Sequence, residues 1–155
     1  MNPLHLFIGL VVLTIMHELG HVIIALFLRL RIASVGIAAY PYPHPFVKVA
    51  HTDERWKRYL FFYAGAGMTL LLFILAFFTG ILDYRMIYFA FAIELIIEFN
   101  PFYSDFLLVN AKSHHDYYVL NTSFKGNKKY LLFFWIILII ILLHPKGLQI
   151  WLNIG

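Results

Sequence analysis

The stretch MHELGHV, residues 16–22, lies inside an apolar segment that runs from about Pro3 to Leu28. A helix needs about 20 predominantly apolar residues to cross the hydrocarbon core of a bilayer, and this segment is long enough. On insertion scales, ionisable groups at the centre of such a helix cost about 2.5–3.5 kcal/mol each. Three of them within five residues therefore predict a compensating feature, such as a bound metal ion in a polar interior.

The composition of the whole chain indicates an integral membrane protein. Of its 155 residues, 62% are hydrophobic and 13% are charged, about half the charged share of a soluble domain. Disorder is excluded, because it requires low hydrophobicity and high charge. The chain has no cysteine, which excludes disulfides, iron–sulfur clusters and thiolate zinc sites. The net charge of +4 comes from basic residues beside apolar segments, and it does not indicate nucleic acid binding.

Four apolar segments predict four transmembrane helices in a single polytopic domain comprising residues 1–155. Their approximate bounds are residues 3–28, 59–82, 86–109 and 130–151. Between the first two segments, small and β-branched residues alternate loosely, and Pro41, Pro43 and Pro45 forbid helix. We therefore predict an all-α membrane protein with a small re-entrant β element at about residues 31–50.

The basic residues predict the orientation in the membrane. Those that follow the first and third segments are Arg29, Arg31, Lys48, Arg55, Lys57, Arg58, Lys112, Lys125, Lys128 and Lys129. The opposite side carries only Arg85 and Lys146 besides the N-terminus. Because basic loops stay in the cytoplasm, we expect both termini to lie outside, and we take the membrane to be that of a prokaryotic cell.

The spacing of His17 and His21 places both imidazoles on one face of the helix, one turn apart, where they can share a metal ion. Glu18 projects next to that face, close enough to reach a water at the metal. His-Glu-x-x-His is the signature of zinc metalloproteases, with two ligands and a general base. We predict one zinc ion, with His17 and His21 as ligands and Glu18 as the catalytic base. A pair of structural histidines is the alternative.

A zinc site needs a third protein ligand, and without cysteine it must come from Asp, Glu or His. Glu94, Glu98 and Asp105 are spaced by four and seven residues, so they form one stripe on the third predicted helix. Pro101 loosens the helix ahead of Asp105, which makes that aspartate easier to place against the metal. The residues alone leave all three carboxylates as candidates.

Two motifs of the chain together resemble the site-2 protease family of intramembrane zinc metalloproteases. The first is HELGH at residues 17–21, and the second is NPFYSD at residues 100–105, which is similar to the family's Asn-Pro…Asp-Gly segment. A weaker third is AGAGMT at residues 64–69, which is similar to the family's Ala-Gly-Pro-x-x-Asn. The resemblance covers roughly residues 3–110 and leaves out the fourth predicted span.

The resemblance implies a minimal catalytic core without a PDZ domain. It implies that Asp105 is the third zinc ligand and that Asn100 polarises the scissile carbonyl or holds the substrate backbone. The chain departs from the family pattern at Ala66, Thr69 and Phe106, where the family has Pro, Asn and Gly.

These features predict an intramembrane zinc metalloprotease that hydrolyses peptide bonds of transmembrane or membrane-associated substrates. His21 lies eight residues before Arg29, about 12 Å along the helix, so we expect the site to open toward the cytoplasm. Glu98 is assigned a supporting role, and Glu94 is left without one. The expected partners are a membrane-embedded peptide or protein substrate, the lipid bilayer and a regulatory membrane protein.

The alternatives to proteolysis are a non-proteolytic scaffold or immunity-type protein and a transporter. A non-proteolytic scaffold or immunity-type protein that retains the protease fold is favoured by Phe106 and by the altered motif at residues 64–69. A metal or proton transporter is disfavoured, because four spans contain no inverted repeat and one compact site provides no chain of ligands.

Overall fold

The computed structural model describes residues 3–38, 44–102, 105 and 128–142. The elements in chain order are helix α1 (Pro3–Phe27), strands β1 (Ile32–Ala38) and β2 (His44–Val49), helix α2 (Arg55–Phe78), a 3-10 helix (Ile81–Asp83), and helices α3 (Arg85–Glu98) and α4 (Lys128–Leu142). The prediction of a largely helical chain with a small β element after the first helix is confirmed.

Helix α1 is the element against which both α2 and α3 pack. Two glycines of α1 permit this close approach. A Cβ added to Gly20 would lie 2.5 Å from the carbonyl oxygen of Ala64 in α2, and a Cβ added to Gly9 would lie 2.9 Å from the Cβ of Ala90 in α3. Small residues at helix contacts let backbones come together in this way. The core between the three helices is centred on side chains such as the fully buried Leu95.

The β element is an antiparallel hairpin in which Ile32 pairs with Val49 and Ala38 pairs with His44. The chain enters it through a helix stop at the end of α1. Arg29 adopts a left-handed conformation with φ of +54°, and the N–H of Leu30 donates to the carbonyl of Ala25. This pattern is a Schellman motif, which satisfies carbonyls at the helix end. Strand β2 contacts α1, so the hairpin lies alongside the helix that carries the HELGH motif.

Helix α3 ends at Glu98, well inside the predicted third span of residues 86–109. The physical reason is Pro101, because the residue before a proline is disfavoured in helical conformation. The N–H of Asn100 reaches back only to the carbonyl of Ile97, and its Oδ1 accepts a hydrogen bond from the N–H of Phe102 at 2.8 Å. The helix is therefore not only loosened ahead of Asp105, as predicted, but ends there and is followed by a non-helical turn.

Helix α4 is attached to α3 by two hydrogen bonds. The indole N–H of Trp135 donates to the carbonyl of Ile96 at 2.8 Å, and the hydroxyl of Tyr88 donates to the carbonyl of Leu142 at 2.7 Å. The predicted fourth span of residues 130–151 continues past α4, and its residues 143–151 lie outside the described residues.

Two helices, α1 with 25 residues and α2 with 24, are long and apolar enough to cross a membrane. Helix α2 begins and ends four residues earlier than the predicted span of residues 59–82. Helices α3 and α4 have 14 and 15 residues, fewer than the about 20 that a crossing requires. The four-span topology and the orientation stay predictions, and Lys112 and Lys125 of the second basic loop lie outside the described residues.

Gly20→Ala is expected to destabilise the protein by about 1–3 kcal/mol, because the added Cβ can be accommodated only if the backbone of α2 moves. Thermal unfolding in detergent would show this as a lower midpoint. Gly67→Ala is the matched control, since nothing lies within 4 Å of its added Cβ and alanine favours a helix over glycine by up to about 1 kcal/mol. Equal losses of stability in the two variants would contradict the close contact of α1 with α2.

Candidate metal centre

Helix α1 turns His17 and His21 toward α2 and α3, where their Nε2 atoms lie 3.1 Å apart. The carboxylate of Asp105 approaches the same point from beyond the end of α3. Its Oδ2 lies 3.3 Å from Nε2 of His17 and 3.1 Å from Nε2 of His21. These three residues, which we call the ligand cluster, were all predicted as metal ligands, and the fold brings them together.

The second ring nitrogen of each histidine has a partner that fixes the tautomer. Nδ1 of His21 lies 2.7 Å from the backbone carbonyl oxygen of Phe61, which can only accept, so Nδ1 carries the hydrogen. Nδ1 of His17 lies 2.6 Å from Oε1 of Glu98 and donates to that carboxylate. Both rings therefore present the lone pair of Nε2 to the centre of the ligand cluster, which is the form in which histidine binds a metal.

Three acceptor atoms thus face one another at 3.1–3.3 Å. Lone pairs at this separation repel each other unless a positive charge lies between them. A metal with bonds of about 2.0–2.2 Å keeps its donors about 3 Å apart in octahedral geometry and about 3.3 Å apart in tetrahedral geometry. The spacing and chemistry of the ligand cluster fit such an ion, and the group could hold a metal.

Gly65 of α2 packs directly against the imidazoles of His17 and His21. A Cβ added there would lie 2.6 Å from Nε2 of His21 and would also collide with the ring of His17. Any larger side chain would occupy the space in which the two Nε2 atoms converge. Glycine at this position is therefore required by the approach of α2 to the ligand cluster.

The members of the ligand cluster differ in exposure. The side chain of Asp105 is 36% exposed, whereas that of His21 is 4% exposed. Three protein ligands with one accessible side are typical of catalytic zinc sites, which leave a fourth position for water or substrate. Glu18 follows His17 directly in α1 and is half-buried.

The two glutamates of α3 have different partners. Oε1 of Glu98 contacts the outer nitrogen of His17 and accepts a hydrogen bond from the hydroxyl of Thr69 at 2.5 Å. Oε1 of Glu94 accepts a hydrogen bond from the hydroxyl of Thr14 at 3.2 Å. Within the described part of the chain, the group that could share one metal includes neither glutamate.

Three residues of α2 that contact the site were not predicted as site residues. Phe61 contributes a backbone carbonyl, so its side chain gives no sign of the role. Gly65 and Thr69 lie in the motif of residues 64–69, and its resemblance to the family pattern was the available signal. The predicted substrate residue Asn100 lies in the turn after α3, and its role stays a prediction.

Comparison of the chain with protein-family models, with curated proteins and with solved structures finds no match. The resemblance of residues 17–21 and 100–105 to the site-2 protease family therefore stays a prediction. The functional assignment depends on the residues and the geometry of this chain.

One divalent metal ion per chain is expected in the purified protein, or after reconstitution, because two imidazole nitrogens and a carboxylate oxygen converge at the spacing of metal ligands. His17→Ala and Asp105→Ala should each abolish stoichiometric binding, measured by elemental mass spectrometry in detergent. Glu94→Ala is the control, since it removes a buried carboxyl of α3 that binds Thr14 instead of a cluster residue. Metal loss in Glu94→Ala with Asp105→Ala still loaded would contradict the proposed third ligand.

Gly65→Ala is expected to weaken metal affinity by about 5- to 150-fold, the equivalent of the 1–3 kcal/mol that overpacking costs. The affinity is measured by competition with a chelator. Gly67→Ala, two residues further along α2 and facing open space, should leave the affinity unchanged. An unchanged affinity in Gly65→Ala would contradict the close contact of α2 with the two imidazoles.

Proposed function

We propose that the protein is an intramembrane zinc metalloprotease that hydrolyses peptide bonds of transmembrane or membrane-associated substrates. The observation that carries this proposal is the ligand cluster itself, built on a helix long and apolar enough to cross a membrane, with Glu18 directly after the first ligand in the sequence. Two histidines, a carboxylate and an adjacent glutamate form the donor set and base of zinc peptidases. The resemblance of residues 17–21 and 100–105 to the site-2 protease family favours the same function.

The exposed apolar surface supports a location in the bilayer. In the 18-residue stretches that make α1 and α2 apolar enough to cross a membrane, only 22% and 28% of the residues are buried. Exposed apolar side chains recur along both helices, and those of Phe27 and Phe78 are each 79% exposed. Large exposed apolar surfaces are rare on soluble monomers and are typical of membrane or partner contacts. We place α1 and α2 across the membrane and propose that α3 and α4 belong to two further spans of the same bundle.

The charge distribution supports an opening toward the cytoplasm. The end of α1, the hairpin and the start of α2 carry Arg29, Arg31, Lys48, Arg55, Lys57 and Arg58. At the opposite end, the connection from α2 to α3 carries only Arg85. The positive-inside rule then orients the hairpin toward the cytoplasm and both termini toward the outside, in a prokaryotic cell membrane.

The choice of zinc depends on Glu18. Two histidines and one carboxylate also bind ferrous iron in oxygenases. A glutamate directly after the first histidine has a role in hydrolysis, where a general base is required. When bound at the ligand cluster, a zinc ion would act as a Lewis acid on a water and on the scissile carbonyl.

The residues of the chain account for the remaining chemistry. Glu18 accepts a proton from the attacking water and later donates it to the leaving amine. The water oxygen bonds to the carbonyl carbon and the C–N bond breaks, so the products are a carboxylic acid and an amine. Oδ1 of Asn100 is held by the N–H of Phe102. We propose that its Nδ2 group is the donor to the scissile carbonyl or to the substrate backbone.

The hairpin provides a means of presenting the substrate. A helical substrate hides its peptide bonds in its own hydrogen bonds, so it must become extended before cleavage. The two-stranded sheet lies alongside α1 and has edges with which an extended peptide can pair. We propose that the substrate adds to this sheet, and that a regulatory membrane partner would act by controlling access to it.

Glu18→Gln is expected to lower cleavage by about 10²-fold or more while leaving zinc bound, because the variant lacks the proton acceptor but keeps the ligand cluster. Cleavage is measured by mass spectrometry on a panel of synthetic transmembrane peptides in liposomes. Glu54→Gln, an exposed glutamate in front of α2, is the control.

Three other outcomes would overturn the proposal. Zinc binding without cleavage of any peptide would favour a non-proteolytic scaffold or immunity-type protein. Zinc flux into the liposomes would indicate a transporter. Stoichiometric iron in place of zinc would indicate redox chemistry at the same three ligands.

A further inference from the structure

Glu98 lies in the interior of the bundle, where one of its oxygens joins three helices. Oε1 accepts a hydrogen bond from Nδ1 of His17 in α1 at 2.6 Å and another from the hydroxyl of Thr69 in α2 at 2.5 Å. Glu98 is 8% exposed and Thr69 is fully buried. Both partners are therefore held by packing as well as by the hydrogen bonds.

We propose that Glu98 is the positioning residue of the metal centre, which holds His17 as a ligand, and that Thr69 locks the Glu98 carboxylate in place. The proposal rests on the proposed metal site. A histidine that binds a metal commonly donates its other N–H to a carboxylate, which fixes the ring orientation and makes the ligand nitrogen more basic. His21 has only a neutral backbone carbonyl in this role, so Glu98 makes His17 the stronger donor of the pair.

Charge balance gives a second reason for a carboxylate at this position. A divalent ion bound by two neutral imidazoles and the Asp105 carboxylate keeps one positive charge. Glu98 lies on the far side of the His17 ring from the ion, and its carboxylate supplies the negative charge that neutralises the remaining positive charge. Since an unbalanced buried charge is unfavourable, the Glu98 carboxylate stabilises the metal-loaded state over the metal-free state.

The Thr69–Glu98 pair also accounts for one departure from the family pattern. The motif of residues 64–69 ends in Thr69, where the pattern that it resembles has Asn. The threonine hydroxyl donates to the same oxygen that contacts His17. The other oxygen, Oε2, is buried and has no hydrogen-bond partner in the described structure. The bonding of this carboxylate is therefore concentrated on the atom that orients the ligand.

Glu94 is a matched comparison for Glu98. It lies one turn earlier on the same helix and is also 8% exposed, but it accepts a hydrogen bond from Thr14 and makes no described hydrogen bond to the ligand cluster. The chain thus offers two Glu–Thr pairs with a buried glutamate, of which one contacts a metal ligand. A role in packing alone would affect both pairs alike.

The test measures the affinity of the detergent-purified full chain for Zn²⁺ and Co²⁺ by chelator competition. Glu98→Gln is expected to weaken zinc binding about 10- to 100-fold, the usual effect of removing the outer partner of a ligating histidine. Thr69→Val should weaken it less, and Thr69→Ser should retain the wild-type affinity. Glu94→Gln and Thr14→Val, which disrupt the comparison pair, should stay within about twofold of wild type.

The visible spectrum of the Co²⁺ protein separates positioning from packing. Glu98→Gln should shift the cobalt absorption bands of the fully loaded protein, because the orientation and basicity of His17 change. A packing role would lower the unfolding midpoint of the metal-free protein and leave the spectrum and the zinc affinity unchanged, which would overturn the proposal. Equal weakening of zinc binding by Glu94→Gln and Glu98→Gln would also overturn it.

The failure of this proposal is distinguishable from the failure of the proposed function. If the wild-type protein binds neither zinc nor cobalt, the metal centre itself is wrong and both proposals fall. If the wild type binds one zinc and Glu98→Gln binds it equally well with an unchanged cobalt spectrum, only the role of Glu98 falls.

Discussion

The imidazole of His17 lies between two carboxylates: Glu98 accepts the hydrogen of Nδ1, and Asp105 faces Nε2 across the position that a metal ion could occupy. Both contacts can form only when α3 packs on α1 in one register and the chain beyond α3 returns to α1. Gly20 and Gly65 make this register accessible, the first by admitting the backbone of α2 and the second by leaving space for the rings. In the bilayer location that we propose, there is little hydrophobic driving force between apolar helices to select one arrangement. In this bundle, the need of buried ionisable groups for partners selects it.

Features that depend on local spacing could be predicted from the sequence. His17 and His21 share a helix face because they are four residues apart, whatever the rest of the chain does. The hairpin followed from the prolines of residues 41–45 and the alternation on either side of them. Asp105 was one of three candidates from the residues alone, and the resemblance in residues 100–105 distinguished it from the two glutamates.

Features that depend on how helices pack could not be predicted in the same way. Glu94 and Glu98 lie on one face of α3. Only the position of α3 along the axis of α1 decides which of the two contacts a histidine. Phe61 contributes its backbone carbonyl as the partner of His21. Because every residue has such a carbonyl, the side chain gives no signal of this role. The hydropathy gives no signal for the end of α3, because apolar residues predominate both before it and again at residues 106–109, and only Pro101 marks the turn.

The ligand cluster joins positions of the chain that are 84 and 88 residues apart. An ion bound there would act as a reversible cross-link that closes a long loop, so metal loading and completion of the fold would be one equilibrium. At a free zinc concentration of about 1,000 times the dissociation constant, such linkage contributes about 4 kcal/mol to the folded state. The supply of zinc in the cell would then determine the lifetime of the protein, since a metal-starved chain unfolds more often and is degraded by quality-control proteases.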